Sequence, residues 1–179
     1  MKKNSTLSIV LIALFAALTI LGTMIKIPLP TGAFAHLGNA VLLLAVLLIG
    51  YPKGALAGGL GFAIFDLMNG FAAEAPYFLI ESFIVGGAAA LAIVAFHNNI
   101  DSLKKLLTVA VAAGVTKIIM TQLKNTALAM IAGSSFNLAF SGAFSMLLAT
   151  VLNVVTTLII VSFAYFPLKR AMRTIFREQ

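Results

Sequence analysis

The stretch IKIPLPTGAFAHLGNA, from Ile25 to Ala40, interrupts an otherwise apolar sequence near the start of the chain. Its two prolines fix φ and disfavour helix, which predicts an extended, stiff connection. The flanking segments Thr6–Met24 and Phe34–Ile49 are apolar enough to be predicted as membrane-spanning helices. The stretch therefore predicts two helices in a membrane, joined by a polar connection whose His36 and Asn39 continue into the second helix.

The composition of the whole chain supports a membrane environment. Of 179 residues, 61% are hydrophobic and only 9% are charged, and the mean hydropathy is +1.10. A soluble domain carries about 25% charged residues, so lipid is the solvent that this composition fits. The net charge of +7 is therefore not interpreted as a nucleic-acid-binding surface. The absence of cysteine excludes disulfides and thiolate chemistry.

Six membrane-spanning helices are predicted, so the chain is expected to be a single all-α integral membrane domain over residues 1–179. The first helix has a basic start like that of a signal peptide, but it is predicted to remain uncleaved. The third begins in the turn Gly50–Gly54 and ends near Gly70, and the last three cover Pro76–Phe96, Leu106–Leu123 and Leu138–Phe166. The segment Lys124–Ser135 is compatible with a loop or with a partly helical cap.

The positions of the basic residues predict the orientation. With the N-terminus inside, nine of the twelve Lys and Arg residues lie on the cytoplasmic side, and the exceptions are Lys26, Lys117 and Lys124. The positive-inside rule therefore predicts that both termini are cytoplasmic.

The motifs that the sequence lacks limit its chemistry. It has no phosphate-binding G-x-x-x-x-G-K-[ST] motif, so uphill transport would need an ion gradient or a partner protein. It also offers no evident pairing of nucleophile and base and no metal-ligand cluster. We therefore predict no catalytic residue, no metal and no cofactor, and we do not expect an enzyme.

Polar residues inside the predicted helices map to one outer layer. Asn39 lies thirteen residues before Pro52 and Asp66 lies fourteen after it, so at about 1.5 Å per residue both reach a similar height. Polar groups within a membrane are costly and often functional. The predicted substrate-binding residues are His36, Asn39, Asp66, Asn69, Tyr77, Glu81, Lys117 and Asn125. The alternative is that Asp66, Glu81 and Lys117 only neutralise one another as structural pairs.

Two further surfaces are predicted around this layer. The connection above it, with Lys26, Pro28, Pro30 and Gly32, is expected to be a lid, the alternative being a plain loop. In the first helix, Ala13, Ala16 and Ala17 form a small-residue patch of the kind that lets helices approach closely. Such a patch serves either internal packing or the docking of a partner.

The order of these segments resembles a known family. An alanine-rich first helix is followed by IKIPLP…AHLGNA, by LLIGYPKGALAGGLGFAIFDL and by APYFLIESFIVGG. This order resembles the substrate-binding (S) components of energy-coupling factor (ECF) vitamin transporters, and most closely the riboflavin, hydroxymethylpyrimidine and vitamin B6 group. Two positions depart from that group: Asn39 replaces the acid of an HLGDA-type motif, and Glu81 stands where related sequences often have lysine.

The resemblance implies a fold, a function and partners. The fold would be a six-helix S-component bundle in the bacterial plasma membrane, with the vitamin bound near the outer surface. The partners would be a membrane-embedded coupling (T) protein, which docks on the Ala13 and Ala17 face, and two cytoplasmic ATPase subunits. Hydroxymethylpyrimidine or a pyridoxine-type vitamer is the favoured ligand. The alternative function is a gradient-driven secondary carrier or exporter.

Overall fold

The structure, a computed structural model, describes residues 5–28 and 34–177 of the chain. In these residues the chain forms seven helices and one two-stranded sheet. The elements are α1 (Ser5–Met24), β1 (Lys26–Pro28), β2 (Phe34–His36), α2 (Gly38–Ile49), α3 (Tyr51–Met68), α4 (Ala75–Ala95), α5 (Leu103–Ile131), α6 (Phe136–Ser145) and α7 (Leu148–Arg177). The all-α prediction is confirmed for the bundle, apart from the short hairpin between α1 and α2.

The connection between the first two helices is a β-hairpin. β1 pairs antiparallel with β2, with Lys26 opposite His36 and Pro28 opposite Phe34. The extended backbone predicted from the prolines is confirmed for Lys26–Pro28, whereas Pro30 and Gly32 lie outside the described residues. The second helix was predicted to start at Phe34, and this is wrong, because α2 starts at Gly38. His36 therefore belongs to a strand and does not share a helix face with Asn39.

The second half of the chain also differs from the prediction. The ambiguous segment after Lys124 is helical up to Ile131, and the helix ends before Gly133, whose φ of 96° favours glycine. The predicted sixth span is two helices, α6 and α7, with a break after Ser145. α7 then continues past Pro167 into the basic tail.

The main helices form an up-and-down bundle whose two ends differ in charge. The hairpin end holds β1 and β2. At the opposite end, Lys53 donates to the Ser8 hydroxyl at 2.6 Å and Lys169 donates to the Ile100 carbonyl at 2.7 Å. We call this the basic end because it holds Lys53, Lys104, Lys105, Lys169, Arg170 and Arg173.

Four helices of the described chain are long and apolar enough to cross a membrane, namely Thr6–Met24 within α1, α4, α5 and Leu148–Thr174 within α7. α2 has 12 residues and is about 18 Å long, which is shorter than the hydrocarbon core of a bilayer. The protein is therefore a multi-pass membrane protein by these four helices, while the sixfold crossing and its orientation stay predictions.

The helices of the N-terminal half pack at very short distances through glycine. A Cβ on Gly54 of α3 would overlap the backbone of Ala45 and Val46 in α2. A Cβ on Gly61 would lie 2.7 Å from the carbonyl oxygen of Ala16 in α1. These glycines let α3 lie directly against both neighbours, so the small residues of α3 serve internal packing.

Candidate ligand-binding cavity

A cavity of about 460 Å³ lies at the hairpin end of the bundle. Its wall combines strand β2, the α3–α4 connection and helices α3, α4, α5 and α7. This volume lies within the usual range for sites that bind small molecules. The lining residues are Phe34, His36, Asp66, Phe71, Glu74, Tyr77, Phe78, Lys117, Thr121, Lys124, Asn125, Leu128, Met146, Ala149, Thr150 and Asn153.

The structure brings together five of the eight predicted substrate-binding residues. His36, Asp66, Tyr77, Lys117 and Asn125 all line the cavity although they come from four separate elements. They meet because α3 ends and α4 begins at the cavity, beside strand β2, and the C-terminal half of α5 runs along its wall. The remaining three, Asn39, Asn69 and Glu81, lie outside the lining.

Within the described part of the chain, Asp66 is the acidic group of the cavity without an ionic partner. It lies in the last turn of α3 and is 6% exposed. Its Oδ2 atom accepts no hydrogen bond from any described residue. A buried carboxylate oxygen without a partner is costly, so this atom is available to a ligand that donates a hydrogen bond.

Lys117 reaches the cavity from a buried ion pair. Its ammonium donates to Oε2 of Glu81, and the Tyr77 hydroxyl donates to Oε1 of the same carboxylate at 2.7 Å. Glu81 is only 2% exposed and lies behind the cavity wall. The Lys117 ammonium also lies 5.0 Å from the centre of the Phe78 ring. Of the two alternatives drawn from the sequence, the geometry therefore supports structural pairing for Glu81 and Lys117.

A second ion pair lies at the cavity and was not anticipated from the sequence. Lys124 of α5 donates to Glu74 at 2.6 Å, and its ammonium lies about 5 Å from the ring centres of Tyr77 and Phe78. The Glu74 side chain is 41% exposed and that of Lys124 is 18% exposed. This pair joins α5 to the start of α4 at the side of the cavity.

Asn153 fixes the hairpin to the bundle. The His36 backbone N–H donates to its Oδ1 at 2.7 Å, and its amide donates to the Phe34 carbonyl at 3.4 Å. A single helix beginning at Leu138, as the sequence predicts, would carry Asn153 deeper into the bundle. The break before Leu148 instead puts Asn153 near the start of α7, next to the cavity.

Two predicted polar residues have other positions. Asn69 is exposed, and its amide donates to the Phe65 carbonyl at 2.8 Å, which satisfies the C-terminal end of α3. Asn39 is 8% exposed and lines a separate cavity of about 30 Å³, whose wall is mainly apolar and also includes Lys117 and Thr157. Asn39 therefore lies deeper in the bundle than the large cavity.

Aromatic rings supply much of the apolar wall. Phe34 lies 6.3 Å from Phe71 between ring centres, and Tyr77 lies 5.2 Å from Phe78. His36 contacts both Phe34 and the ring of Phe62. Such a wall suits a flat heterocycle whose edge carries polar groups.

The predicted docking residues lie in the middle of α1, and the described lid residues lie in β1, which follows α1. Lys26 is exposed, with its ammonium 4.9 Å from the Phe34 ring centre, and Pro28 is also exposed. In α1, Ala13 and Ala17 are exposed, whereas Ala16 is 7% exposed and packs against α3. Ala16 is therefore part of the internal packing, and the exposed small-residue face consists of Ala13 and Ala17.

Metal binding finds no support in this geometry. The part of the chain that the structure describes contains no group of three His, Cys, Asp or Glu residues placed to hold an ion. The polar groups of the cavity are instead amides, hydroxyls, one imidazole, paired charges and the Asp66 carboxylate, which suit hydrogen bonding to an organic molecule.

The fold and the cavity together define a class, that of helical membrane proteins with a cavity large enough for a small organic molecule at one end of the bundle. Within this class the family model described as "ECF-type riboflavin transporter, S component" matches residues 3–170. The chain therefore belongs to that family of transporter components, which is not a class of enzymes. A search of the curated proteins finds no match to this chain.

Proposed function

We propose that this protein is the vitamin-binding subunit of an ECF-type importer and that it captures its ligand in the cavity at the hairpin end. One observation carries the proposal: a cavity of about 460 Å³ that combines aromatic rings with a buried, unpartnered oxygen of Asp66. Membership of the S-component family supports the same function. In this proposal Asp66, His36, Tyr77, Lys117 and Asn125 contact or organise the ligand.

The ligand in this proposal is a heterocyclic vitamin with hydrogen-bond donors on its edge. Riboflavin is the first candidate, because the family description names it and because the cavity has room for a molecule of that size. Hydroxymethylpyrimidine and pyridoxine, which the sequence favoured, are much smaller and would occupy only part of the cavity. They remain candidates, since their hydroxymethyl groups can donate hydrogen bonds to Asp66.

The import step in this proposal depends on partners. A membrane-embedded coupling (T) protein and two cytoplasmic ATPase subunits supply the energy, and the exposed Ala13 and Ala17 face of α1 docks on the coupling protein. The positive charge of the basic end supports an orientation with that end in the cytoplasm and the cavity on the outer side of the bacterial plasma membrane. The β-hairpin over the cavity, including Lys26 and Pro28, then serves as the lid.

The test separates binding from transport. The purified protein is titrated with riboflavin, hydroxymethylpyrimidine and pyridoxine in detergent, and uptake of the labelled vitamin that binds is followed in cells with and without the coupling protein and ATPases. We expect binding by the protein alone and accumulation only when the partners are present. Accumulation by the protein alone would favour a gradient-driven carrier, and failure of all three vitamins to bind would contradict the proposed function.

A further inference from the structure

The charged side chains at the cavity form two ion pairs, each of them neutral, and the Asp66 carboxylate remains outside these pairs. Lys117 pairs with Glu81, and Lys124 pairs with Glu74. Asp66 has no cationic partner within salt-bridge distance among the described residues. With His36 neutral, the two ion pairs and Asp66 together carry one negative charge, counting Glu81 behind the cavity wall.

Both cavity lysines already bind a carboxylate, so a phosphate would have to compete for them. The Lys117 side chain is 11% exposed and its partner Glu81 only 2% exposed, so a second anion would have to compete with a buried carboxylate. Lys124 is held by Glu74 and lies over the rings of Tyr77 and Phe78. Moving the Lys117 ammonium to a phosphate would leave the buried Glu81 carboxylate unpaired, which is costly. Moving the Lys124 ammonium would leave the Glu74 carboxylate unpaired beside the new negative charge.

A third cation near the cavity, Lys26, lies on the solvent-exposed surface of the hairpin. Lys26 is exposed, and its ammonium contacts the rings of Phe34 and Phe65 from outside the cavity lining. Solvent and salt screen a charge in this position. Lys26 therefore does little to compensate for Asp66 inside the cavity.

We infer that the cavity selects the unphosphorylated form of its vitamin and excludes the phosphate ester, with Asp66 as the residue that sets this selectivity. The inference rests on the proposed function and specifies the charge of the substrate. Asp66 accepts a hydrogen bond from a neutral or cationic ring, and it repels the phosphate group that intracellular vitamins commonly carry. Like charges brought together at a binding site cost several kcal/mol, so discrimination of about tenfold or more is expected.

The experiment compares each vitamin with its own phosphate ester. Riboflavin and its phosphate, and pyridoxine and its phosphate, are titrated into the purified wild-type protein at fixed pH and salt, and the ratio of Kd values is the readout. In Asp66→Asn the shape is kept and the charge removed, so the affinity for the phosphate ester should approach that for the parent vitamin. Asp101→Asn is the matched control, because it removes the same charge at the basic end, where Asp101 pairs with Lys105 at 3.0 Å.

The outcomes separate this inference from the proposed function. A wild-type ratio of about tenfold or more in favour of the parent vitamin, reduced in Asp66→Asn and kept in Asp101→Asn, supports the inference. Equal binding of ester and parent by the wild-type protein overturns it while the vitamin-binding function stands, and this readout needs no variant to fold. A ratio that Asp66→Asn leaves unchanged, with the melting temperature preserved, overturns the role of Asp66. If none of the four compounds binds, the proposed function fails and the inference fails with it.

Discussion

The two halves of the bundle differ in how their interior is filled. At the hairpin end, polar and aromatic side chains surround a cavity of about 460 Å³, and Asp66 keeps an unpartnered oxygen. Toward the basic end, glycine and alanine bring α2, α3 and α4 into close contact, so that Ala45, Ala55 and Ala57 are fully buried. Dense packing makes one half rigid, whereas the other half leaves room and unsatisfied groups for a ligand.

This difference also explains how polar side chains within the bundle divide into two roles. Glu81 is buried behind the cavity wall with both its oxygens occupied, and it holds Lys117 and Tyr77 in place. Asp66 is buried at the cavity with one oxygen unoccupied. Substitution of the first kind of residue should therefore reduce stability, and substitution of the second kind should reduce ligand affinity.

The largest expected effect on stability comes from Glu81→Gln. The sequence predicts a substrate-binding role for Glu81, but in the structure Glu81 forms a buried pair with Lys117. Removing one partner of a buried ion pair costs about 3–5 kcal/mol. Thermal unfolding of the ligand-free protein in detergent measures the loss. The control is Glu74→Gln, which breaks the more exposed pair with Lys124 and should cost at most about 1 kcal/mol. Equal melting temperatures for the two variants would contradict the buried role of Glu81.

A smaller loss is expected from Gly54→Ala in the close-packed half. The added Cβ meets the backbone of Ala45 and Val46, which cannot move aside as a flexible side chain could. Overpacking of this kind costs about 1–3 kcal/mol. Gly142→Ala is the matched control, because no described atom lies within 4 Å of the added Cβ and alanine is the better helix former. A Gly54→Ala variant as stable as Gly142→Ala would contradict the close contact between α2 and α3 at Gly54.

A smaller effect is expected from Asn153→Ala, which loosens the attachment of the hairpin to the bundle. Asn153→Ala removes two hydrogen bonds to the backbone of Phe34 and His36, each worth about 0.5–1.5 kcal/mol. We expect ligand to dissociate several-fold faster, because the hairpin covers the cavity less tightly. Stopped-flow or competition measurements of koff provide the readout. Asn137→Ala on α6, an exposed position away from the cavity lining, is the control and should leave koff unchanged.

The smallest effect on the isolated protein is expected from Ala17→Trp. Ala17 is exposed on α1, so the larger ring should leave both the melting temperature and the ligand affinity nearly unchanged. Uptake in cells that contain the coupling protein and ATPases should nevertheless be lost, since a bulky side chain prevents close helix approach. Leu91→Trp, at an exposed position of α4, is the control and should keep uptake. Loss of ligand binding in Ala17→Trp would instead place this face in internal packing.

The sequence predicts the architecture better than the site. Long apolar runs and the prolines of the IKIPLP segment are local signals, and they predicted most helices and the extended connection. The break after Ser145 has no proline or glycine within Ser145–Leu148 to mark it, so the sequence predicts a single sixth span. The pair of Lys124 with Glu74 joins residues fifty positions apart, and only tertiary packing brings them together.

Residue counts estimate the depth of a side chain well only where the helix is unbroken. Counting from Pro52 placed Asp66 correctly at the cavity, because α3 is one unbroken helix from Tyr51 to Met68. The same count could not show which way a side chain points. The Asn69 side chain bonds to the C-terminal end of its own helix, and Asn39 lines the separate cavity of about 30 Å³ and not the large one.

The central claim, that the cavity at the hairpin end is the vitamin site, is tested most directly by blocking the cavity and identifying what co-purifies. Ala149 lines the cavity and its neighbour Leu148 is 52% exposed, so Ala149→Trp should fill the site while Leu148→Trp leaves it open. Mass spectrometry of small molecules released from each purified protein should find the same vitamin in the wild type and in Leu148→Trp, and none in Ala149→Trp at an unchanged melting temperature. Retention of the vitamin by a folded Ala149→Trp variant would contradict the claim.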